Sequence, residues 1–302
     1  TGIVGLGGDG FPTYIKYNTD KKIHTLIVNA VECEPYLNAD TALMLAQCEE
    51  ILETVDAIME INHIDRAIIA VSRNNTDLIH KLNNFIGTYL NIQMKIVDDV
   101  YPNGWERILV RELCHTNYKE VPLEKGIVVN NVSTIFAIYE ALKYHKPMID
   151  RVVSFTGDGL KKIYNVRVKI GTLAQDVITF LGGYQAYEEM LLVAGGPLMG
   201  TAFPTDEIVI SPEINCILAL SHEKEDDVLP CIRCGKCAEV CPAKLSPTGI
   251  DKAYRKKNKK QLEQLEVERC IGCGLCSYVC PSNRNVRKQI ALARQLLREE
   301  EV

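Results

Sequence analysis

Short apolar runs alternate with amphipathic stretches along the first 150 residues of the chain. The apolar runs are rich in β-branched side chains, which predicts strands at 24–30, 66–72, 92–98 and 126–131. The segments that follow them have a helical period of apolar positions, which predicts helices at 41–58, 76–86, 105–114 and 133–144. This alternation indicates a Rossmann-like α/β domain with a mainly parallel sheet, which binds its ligands at the carboxyl ends of the strands.

The pattern changes near residue 150. Two strands are predicted around a Gly-Asp-Gly turn in 151–171, then a short helix in 172–183 and a strand that leads into a Gly-Pro loop in 190–200. This order is that of a small β-grasp unit, and one or two further strands are expected in 204–222. After Pro230 the chain is helical and rich in cysteine, with a helix or a helix pair between two cysteine repeats. We therefore expect three domains, at 1–149, 150–222 and 223–302.

Composition and charge narrow the class of protein. Of the 302 residues, 47% are hydrophobic and 24% are charged, as in ordinary globular proteins, and the net charge of −5 gives no basis for binding nucleic acid. The basic run at 255–260 is interpreted as a solvated helix face. No apolar stretch approaches the roughly 20 residues of a membrane span, and no secretory signal is visible, so we expect a soluble, cytoplasmic chain. Because the chain starts at Thr1 inside a glycine-rich loop, an N-terminal portion is expected to be missing.

Eight of the twelve cysteines form two copies of the pattern C-x2-C-x2-C-x3-C-P, 39 positions apart. A disulfide framework is disfavoured in a chain of this size without a secretory signal, and structural zinc usually takes two C-x2-C pairs instead. The pattern is typical of two-cluster ferredoxins, in which the fourth cysteine of each run ligates the other cluster. The spacing therefore predicts one [4Fe–4S] cluster on Cys231, Cys234, Cys237 and Cys280, and a second on Cys270, Cys273, Cys276 and Cys241.

The remaining four cysteines are scattered along the chain. They are expected to be small buried apolar residues and not ligands: Cys33, Cys48, Cys114 and Cys216.

A glycine-rich segment, GLGGDGFPTYIK at 5–16, precedes the first predicted strand. Its glycines would let backbone N–H groups approach a phosphate, and Lys16 would supply a positive charge. The segment lacks the Gly-Lys-Ser/Thr of a P-loop and the strand that precedes a dinucleotide fingerprint, so a simple tight turn is an open alternative.

Acidic and amide side chains follow several predicted strands and would converge at one edge of the sheet: Asn29, Glu32, Glu34, Glu106, Asn130 and Asn131. Carboxylates there suit ribose hydroxyls, and asparagines suit a flavin ring edge.

Three N-terminal motifs resemble a known family: the glycine-rich segment, VNAVECEPYLNAD at 28–40 and VVNNVST at 128–134. Together with GGPLMG at 195–200 and the two cysteine repeats, they resemble the C subunit of the Rnf electron-transport complex over essentially the whole chain. The three N-terminal motifs are also similar to the flavin-bearing, NADH-binding subunit of respiratory complex I.

The resemblance implies non-covalent FMN in the α/β domain, a soluble-ligand-binding β-grasp (SLBB) domain, and two [4Fe–4S] clusters in a helical ferredoxin domain. It also implies electron exchange between NADH and a partner. That partner is either another subunit of a membrane-bound complex, with this chain peripheral on the inner face of the membrane, or a soluble reductase.

The resemblance places the expected ligands position by position. The FMN residues implied are Gly5, Gly7, Gly8, Lys16, Asn29, Glu32, Asn130, Asn131 and Thr134, and the NADH residues are Phe11, Glu34 and Glu106. No side chain is expected to act as a catalytic acid or base, because the flavin supplies the hydride chemistry. A carboxylate at Glu34 favours NADH over NADPH, since it would repel a ribose phosphate.

Three positions depart from the family. Asp9 replaces a small residue of the glycine loop, Val31 stands where the complex I subunit has an aspartate, and Trp105 replaces one of its paired acids. Two alternatives to an NADH oxidoreductase therefore stay open. One is an electron relay or docking protein, for example for proline reductase, that keeps its clusters but does not bind NADH. The other is a scaffold whose glycine loop is a turn and which holds no flavin.

Overall fold

The computed structural model describes residues 1–118, 120–187, 189–221 and 227–299. The described residues form two compact units, one ending at 221 and the other starting at 227. The predicted boundary between 222 and 223 lies outside the described residues, and the division into three domains stays a prediction. Each unit is described by itself.

The first unit contains a four-stranded parallel sheet in the order β3-β2-β1-β4. Its strands are β1 (Thr25–Ala30), β2 (Arg66–Ser72), β3 (Ile92–Val97) and β4 (Ile127–Asn131). All four lie within a residue of the predicted ranges, and the predicted parallel sheet is confirmed. Side chains of β1 alternate between two cores, with Leu26 and Val28 on one face and Ile27 on the other. Both faces are therefore covered, which is why the strands are continuous apolar runs.

Helices cover the two faces of this sheet. They are α1 (Thr13–Tyr17), α2 (Ala39–Ala46), α3 (Cys48–Ile61), α4 (Thr76–Phe85), α5 (Glu106–Cys114) and α6 (Val132–Tyr144). The single helix predicted at 41–58 is wrong, because the backbone of Gln47 leaves the helical region, with φ −126° and ψ 39°. The break lets α2 and α3 each bury an apolar face in the same core, through Met44 on α2 and Ile51 on α3.

A mixed five-stranded sheet follows in the same unit, in the order β6-β5-β9-β7-β8. Its elements are β5 (Asp150–Thr156), β6 (Tyr164–Lys169), α7 (Ala174–Phe180), β7 (Met190–Ala194), β8 (Thr201–Phe203) and β9 (Cys216–Ser221). The predicted pair around the Gly-Asp-Gly turn is the antiparallel pair β5–β6. The short strand β8 was not predicted, whereas β9 is one of the strands expected in 204–222. Val177 and Ile178 of α7 share a core with Val153 and Phe155 of β5.

The second unit is helical and repeats itself. Its helices are α8 (Lys236–Glu239), α9 (Pro247–Arg255), α10 (Lys259–Gln264), α11 (Leu275–Tyr278) and α12 (Val286–Arg298). The predicted helix pair between the cysteine repeats is α9 and α10. The short helices α8 and α11 begin after glycines with nearly identical backbone angles, φ 82° and ψ −15° at Gly235 and φ 80° and ψ −15° at Gly274. The sequence repeat is therefore a structural repeat. None of the helices in the described ranges is long and apolar enough to cross a membrane.

Candidate functional site

The glycine-rich segment folds into a closed loop. The amide of Gly5 donates to the Phe11 carbonyl at 2.7 Å, and the amide of Gly10 donates to the Gly5 carbonyl at 3.1 Å. The Asp9 carboxylate turns inward, accepts from the Phe11 amide at 3.3 Å and lies over Gly5. A Cβ at Gly5 would stand 1.9 Å from Asp9 Oδ1, so a side chain there would displace the carboxylate. Gly8 has a φ of +104°, which glycine adopts readily.

Contacts from three elements fix this loop at the carboxyl end of β4. The amide of Leu6 donates to Thr134 Oγ1 on α6 at 2.9 Å, and the carbonyl of Leu6 accepts from Arg151 on β5 at 3.0 Å. A Cβ at Gly7 would stand 3.3 Å from Cβ of Asn131, so the loop backbone lies directly against that residue. The structure thus brings together the glycines, Thr134 and Asn131, as expected for a phosphate-binding loop beside a helix N-terminus.

Lys16 on α1 reaches the same strand. Its ammonium donates to the Val129 carbonyl at 2.8 Å. Burial raises the pKa of Glu106, and the positive charge of Lys16 opposes that rise, which places Lys16 close to Glu106. The hydroxyl of Tyr118 also donates to Glu106, at 2.9 Å.

The asparagines at the ends of β1 and β4 stand side by side, because Asn29 pairs with Asn131 in the parallel register. Asn29 donates to the Gly104 carbonyl at 2.8 Å and accepts from the Val31 amide at 3.0 Å. Asn131 caps α6 by accepting from the Ser133 amide at 2.8 Å. These bonds fix both side chains at the edge where a ligand is expected.

Asn130 differs from its neighbours because one of its polar atoms has no partner. Its amide nitrogen donates to the hydroxyl of Tyr17, but its carbonyl oxygen is buried without a hydrogen bond among the described residues. A buried acceptor without a donor is costly, and ligand N–H or O–H groups are one way to satisfy it. A flavin, which has ring N–H and ribityl hydroxyl donors, fits this acceptor and the open backbone of the glycine loop.

Glu32, which is partly buried, and the buried Asp40 form an acidic pair behind these asparagines. Glu32 caps α2 by accepting from the amides of Asp40 at 3.0 Å and Thr41 at 2.7 Å. Burial, reinforced by the nearby Asp40 charge, raises the pKa of Glu32 to about 7. Asp40 accepts from the Ser133 hydroxyl and the Asn131 amide, and burial raises its pKa as well.

The positive charge that faces Asp40 is Arg151, which is 3% exposed. Burial lowers the pKa of Arg151 to about 10, and the charges of Asp40 and Glu213 oppose that fall. Its guanidinium donates to carbonyls of Leu6, Val152 and Pro212. Arg151 therefore links the second sheet to both the glycine loop and the acidic pair.

The three residues expected to hold NADH have different surroundings. Phe11 is 42% exposed on the glycine loop, whereas Glu106 is bonded to Tyr118. The Glu34 carboxylate accepts from the backbone amides of Leu198 at 3.1 Å and Met199 at 2.7 Å. A Cβ at Gly196 would stand 2.3 Å from Glu34 Oε2, so that glycine allows the close approach.

Sequence reasoning missed four side chains that hold the site together: Tyr17, Asp40, Tyr118 and Arg151. Asp40 carried a weak signal, since an acidic residue in the first turn suits a helix N-terminus. Arg151 carried none, because an arginine at the start of a predicted strand looks like a solvated residue.

In the second unit, the eight repeat cysteines divide between two cavities, and all twelve cysteines of the chain are free thiols. The first cavity is lined by Cys231, Cys234, Cys237 and Cys280, and the second by Cys241, Cys270, Cys273 and Cys276. Each cavity thus takes three cysteines from one repeat and the last cysteine of the other. Within the described ranges, no group of three or more His, Cys, Asp or Glu side chains stands close enough to hold a single metal ion.

The thiols have apolar surroundings with a few backbone donors. Burial, with the neighbouring Cys270 and Cys273, raises the pKa of Cys276 to about 12, and burial also raises the pKa of Cys237, Cys270 and Cys273. Thiols in such a site stay protonated until a cluster binds, because the iron is ligated by deprotonated thiolates. The amide of Gly272 donates to Cys270 Sγ at 3.4 Å, and N–H groups of this kind tune the potential of a bound cluster.

Comparisons with known proteins match both regions. Residues 1–140 match the Nuo51 FMN-binding domain family, and residues 230–284 match the 4Fe-4S dicluster domain family. The C subunit of the ion-translocating oxidoreductase complex of Pectobacterium atrosepticum is 36% identical over 82% of this chain and 36% of its own length. Over most of its length the chain is similar to the C subunits of Rnf complexes. Its cofactors are therefore FMN and [4Fe–4S] clusters.

Two further C subunits align with this chain over a larger share of their own length. The C subunit of the proton-translocating ferredoxin:NAD(+) oxidoreductase complex of Clostridium ljungdahlii is 35% identical over 82% of this chain and 55% of its own length. Its Na(+)-translocating counterpart in Acetobacterium woodii is 36% identical over 82% and 57%. The chain thus spans between about a third and somewhat over half of the length of these relatives.

Solved structures show the same fold. An NAD+-reducing [NiFe]-hydrogenase in the H2-reduced state aligns with a TM-score of 0.67 at 20% identity, over 98% of this chain and 60% of the hydrogenase chain. The air-oxidised state of such an enzyme aligns with a TM-score of 0.63. The α/β domain, the second sheet region and the helical cysteine-rich unit therefore have a known fold.

Proposed function

We propose that this chain is an FMN-dependent electron-transfer subunit that exchanges hydride with NADH and passes single electrons through two [4Fe–4S] clusters to a partner. The observation that carries the proposal is the unpartnered buried oxygen of Asn130, beside a glycine loop that is fixed against the same strand end. Burying this oxygen without a hydrogen-bond donor costs free energy. Its position at the carboxyl edge of a parallel sheet, where ligands bind, therefore favours a cofactor site over a simple turn.

The chain's own residues would bind and orient FMN. Backbone amides of Gly7 and Gly8 would surround the phosphate with the Lys16 ammonium, while the α6 N-terminus adds a favourable dipole. The amide of Gly5 stays bonded to the Phe11 carbonyl, so Gly5 would shape the loop and not bind the phosphate directly. Asn29, Asn130 and Asn131 would meet the polar edges of the flavin, with Glu32 and Thr134 at the same pocket. When bound, FMN takes up two electrons as hydride and releases them singly, which neither NADH nor a cluster does alone.

The nicotinamide nucleotide would bind at the outer side of this pocket. The exposed ring of Phe11 offers a surface on which a flat base can stack. Glu34 is held by two backbone donors, so its carboxylate has a fixed position from which to accept a ribose hydroxyl. Glu106, whose pKa is raised by burial, would contribute a hydrogen bond on the opposite side.

The two cysteine cavities would each hold one [4Fe–4S] cluster, and their linings support the crossed ligand sets expected from the repeat. Exchange of the last cysteine between the repeats would place two one-electron carriers next to each other. Relatives named as ion-translocating oxidoreductase subunits support a partner within a membrane-bound complex, on which this chain would be peripheral at the cytoplasmic face.

A relay without NADH binding is the second candidate. It is favoured by the negative charge of Asp9 inside the glycine loop and by the engagement of Glu34 with the backbone at 198–199. In that case the clusters would serve a soluble reductase partner, and Glu34 would have a structural role.

The test is steady-state oxidation of NADH by the FMN-loaded full-length protein, with ferricyanide as an artificial acceptor. Glu34→Gln should raise KM for NADH roughly tenfold, in line with the loss of one charged hydrogen bond, and should leave FMN content unchanged. Glu112→Gln, at an exposed position on α5, is the matched control. A flavin-loaded protein that does not oxidise NADH would leave only the relay.

A further inference from the structure

The two cysteine repeats are alike in sequence but differ in how much of their surface is covered. Val228 and Val267 occupy equivalent positions, yet Val228 is 69% exposed and Val267 is fully buried. At the position after the first cysteine of each repeat, Ile232 is 68% exposed whereas Ile271 is partly buried. The first repeat therefore presents to solvent the side chains that the second repeat buries.

The same difference extends to the thiols. Cys231 and Cys234 of the first cavity are exposed, whereas Cys273, the equivalent of Cys234, is 8% exposed. A group bound in the first cavity would thus lie nearer to solvent than one bound in the second. Because electron transfer between proteins requires the two centres to approach closely, the first cavity is the better placed exchange point.

This exposure does not come from a loose segment. The amide of Leu229 donates to the Ser282 carbonyl at 3.0 Å, and the Ser282 hydroxyl donates to the Pro230 carbonyl at 3.0 Å. Ser282 itself is 2% exposed. The apolar residues are therefore held in place on the surface.

Arg233 has nearly the same backbone conformation as its equivalent in the second repeat. It has a φ of +57° at the position where the second repeat has Gly272, with a φ of +70°. Only glycine takes this conformation without steric cost, so the arginine is kept against a local preference. Arg233 has no hydrogen bond or ion pair within the described ranges, and it is exposed. The exposed guanidinium is therefore available to a partner outside the fold.

Charge distinguishes the repeats in the same region. Arg233 and Lys236 are both exposed, and their equivalents in the second repeat are the uncharged Gly272 and Leu275. The sequence from 228 to 238, VLPCIRCGKCA, contains no acidic residue, although the chain as a whole has a net charge of −5. The stretch from 228 to 238 is thus apolar with two basic side chains, and the exposed acids Asp227 and Glu239 lie on either side of it. The positive charge of Arg233 and Lys236 complements an acidic partner.

We propose that this surface, the first-repeat face, made of Val228, Leu229, Ile232, Arg233 and Lys236, is the docking site for an acidic one-electron redox protein. One electron leaves the group held in the first cavity and one electron enters the partner's centre, and no bond forms or breaks. The inference rests on the proposed function in that it requires bound clusters, but it does not require NADH.

The test uses the reconstituted full-length protein, reduced with dithionite and freed of excess reductant. The probe is a purified acidic [4Fe–4S] ferredoxin, and both its Kd by calorimetry and its reduction rate by stopped flow are measured at several salt concentrations. The double variant Arg233→Gly/Lys236→Leu places the second repeat's residues in the first. Its Kd should rise roughly tenfold at low salt and its salt dependence should weaken, while iron content stays the same.

The matched control is Lys257→Gly/Lys260→Leu, which removes two exposed positive charges and also relieves a positive φ, of +50° at Lys257. Its Kd should stay within about twofold of the parent.

A second variant, Ile232→Ser, should weaken binding at every salt concentration. An unchanged Kd in the first double variant, an equal loss in the control, or equally tight binding of a basic cytochrome of similar size would overturn the proposal. Since dithionite supplies the electrons, a protein that fails with NADH but passes this test separates the two claims.

Discussion

Around the glycine loop of the first unit, polar side chains are joined to one another by hydrogen bonds, whereas in the second unit the cysteines face apolar cavities. Glu32, Asp40 and Arg151 form a charged network held by hydrogen bonds, and the carbonyl oxygen of Asn130 nearby is buried without a partner among the described residues. The thiols of the second unit have raised pKa values because they are buried, and they stand around spaces that no side chain fills.

This difference indicates how each region acquires its structure. The first region is organised by the protein's own bonds, so it should keep its shape without flavin and offer a preformed pocket. The second has one core cluster, into which several of the repeat cysteines pack, so its stability should depend on cluster binding. The predictions below each test one side of this comparison.

The largest effect is expected from loss of the cluster ligands. Cys241→Ser and Cys273→Ser should remove the same cluster although they lie in different repeats, and Cys280→Ser should remove the other. Each variant should retain about four of about eight irons per chain. Removing both clusters should melt the helices of the second unit and leave the parallel sheet intact, as seen by hydrogen exchange.

Cys114→Ser is the control for these variants, since Cys114 lies outside both cavities, and it should retain all the iron. If Cys241→Ser removed the cluster that Cys237→Ser removes, the crossed assignment would be wrong.

A smaller effect is expected from breaking the charged network of the first unit. Arg151→Met leaves Asp40 without its facing charge and the Leu6 carbonyl without its donor, so unfolding free energy should fall by about 3–5 kcal/mol. Denaturant titration of the first unit's transition measures it. Arg73→Met, which breaks the exposed pair with Asp98, should cost under about 1 kcal/mol. Equal losses in the two variants would argue against a preformed site.

Flavin affinity should respond to the unpartnered oxygen of Asn130. Asn130→Leu should weaken FMN binding by roughly ten- to a hundredfold, because the acceptor and its hydrogen bond are both removed. Fluorescence quenching of added FMN gives the Kd. Tyr17→Phe, which keeps that oxygen, should have a smaller effect. FMN bound as tightly by the leucine variant as by the parent would place the flavin elsewhere.

The smallest effect concerns pH. Burial raises the pKa of Glu32 from 4.5 to about 7 in the folded protein, so the folded state binds the proton more readily than the unfolded state between these values. Unfolding free energy should therefore contain a contribution that falls as pH rises from about 4.5 to 7 and levels off above, by roughly 1–3 kcal/mol in total. Glu32→Gln should reduce that slope and leave the part that comes from Asp40, whose pKa burial also raises. An unchanged pH profile would contradict the raised pKa of Glu32.

The parallel sheet and the grouping of the cysteines around two cavities were predictable from the sequence because both depend on local pattern, whereas the ligand sets themselves stay a prediction. Apolar runs such as 66–72 mark buried strands wherever they occur, and the cysteine spacing groups the thiols directly. The break at Gln47, the short strand β8 and the role of Arg151 were not predictable. The role of Arg151 depends on contacts between segments far apart in the chain, such as its bond to Leu6 across 145 positions. The strand β8 pairs with the nearby β7, but its three residues are too few to show a pattern.

The most direct test of the proposed electron route is an anaerobic visible spectrum of the protein, reconstituted with FMN and clusters, before and after addition of NADH. We predict flavin bands and a broad iron–sulfur shoulder, both of which bleach on addition. A shoulder that ignores NADH and bleaches only with dithionite would contradict the route from NADH to the clusters.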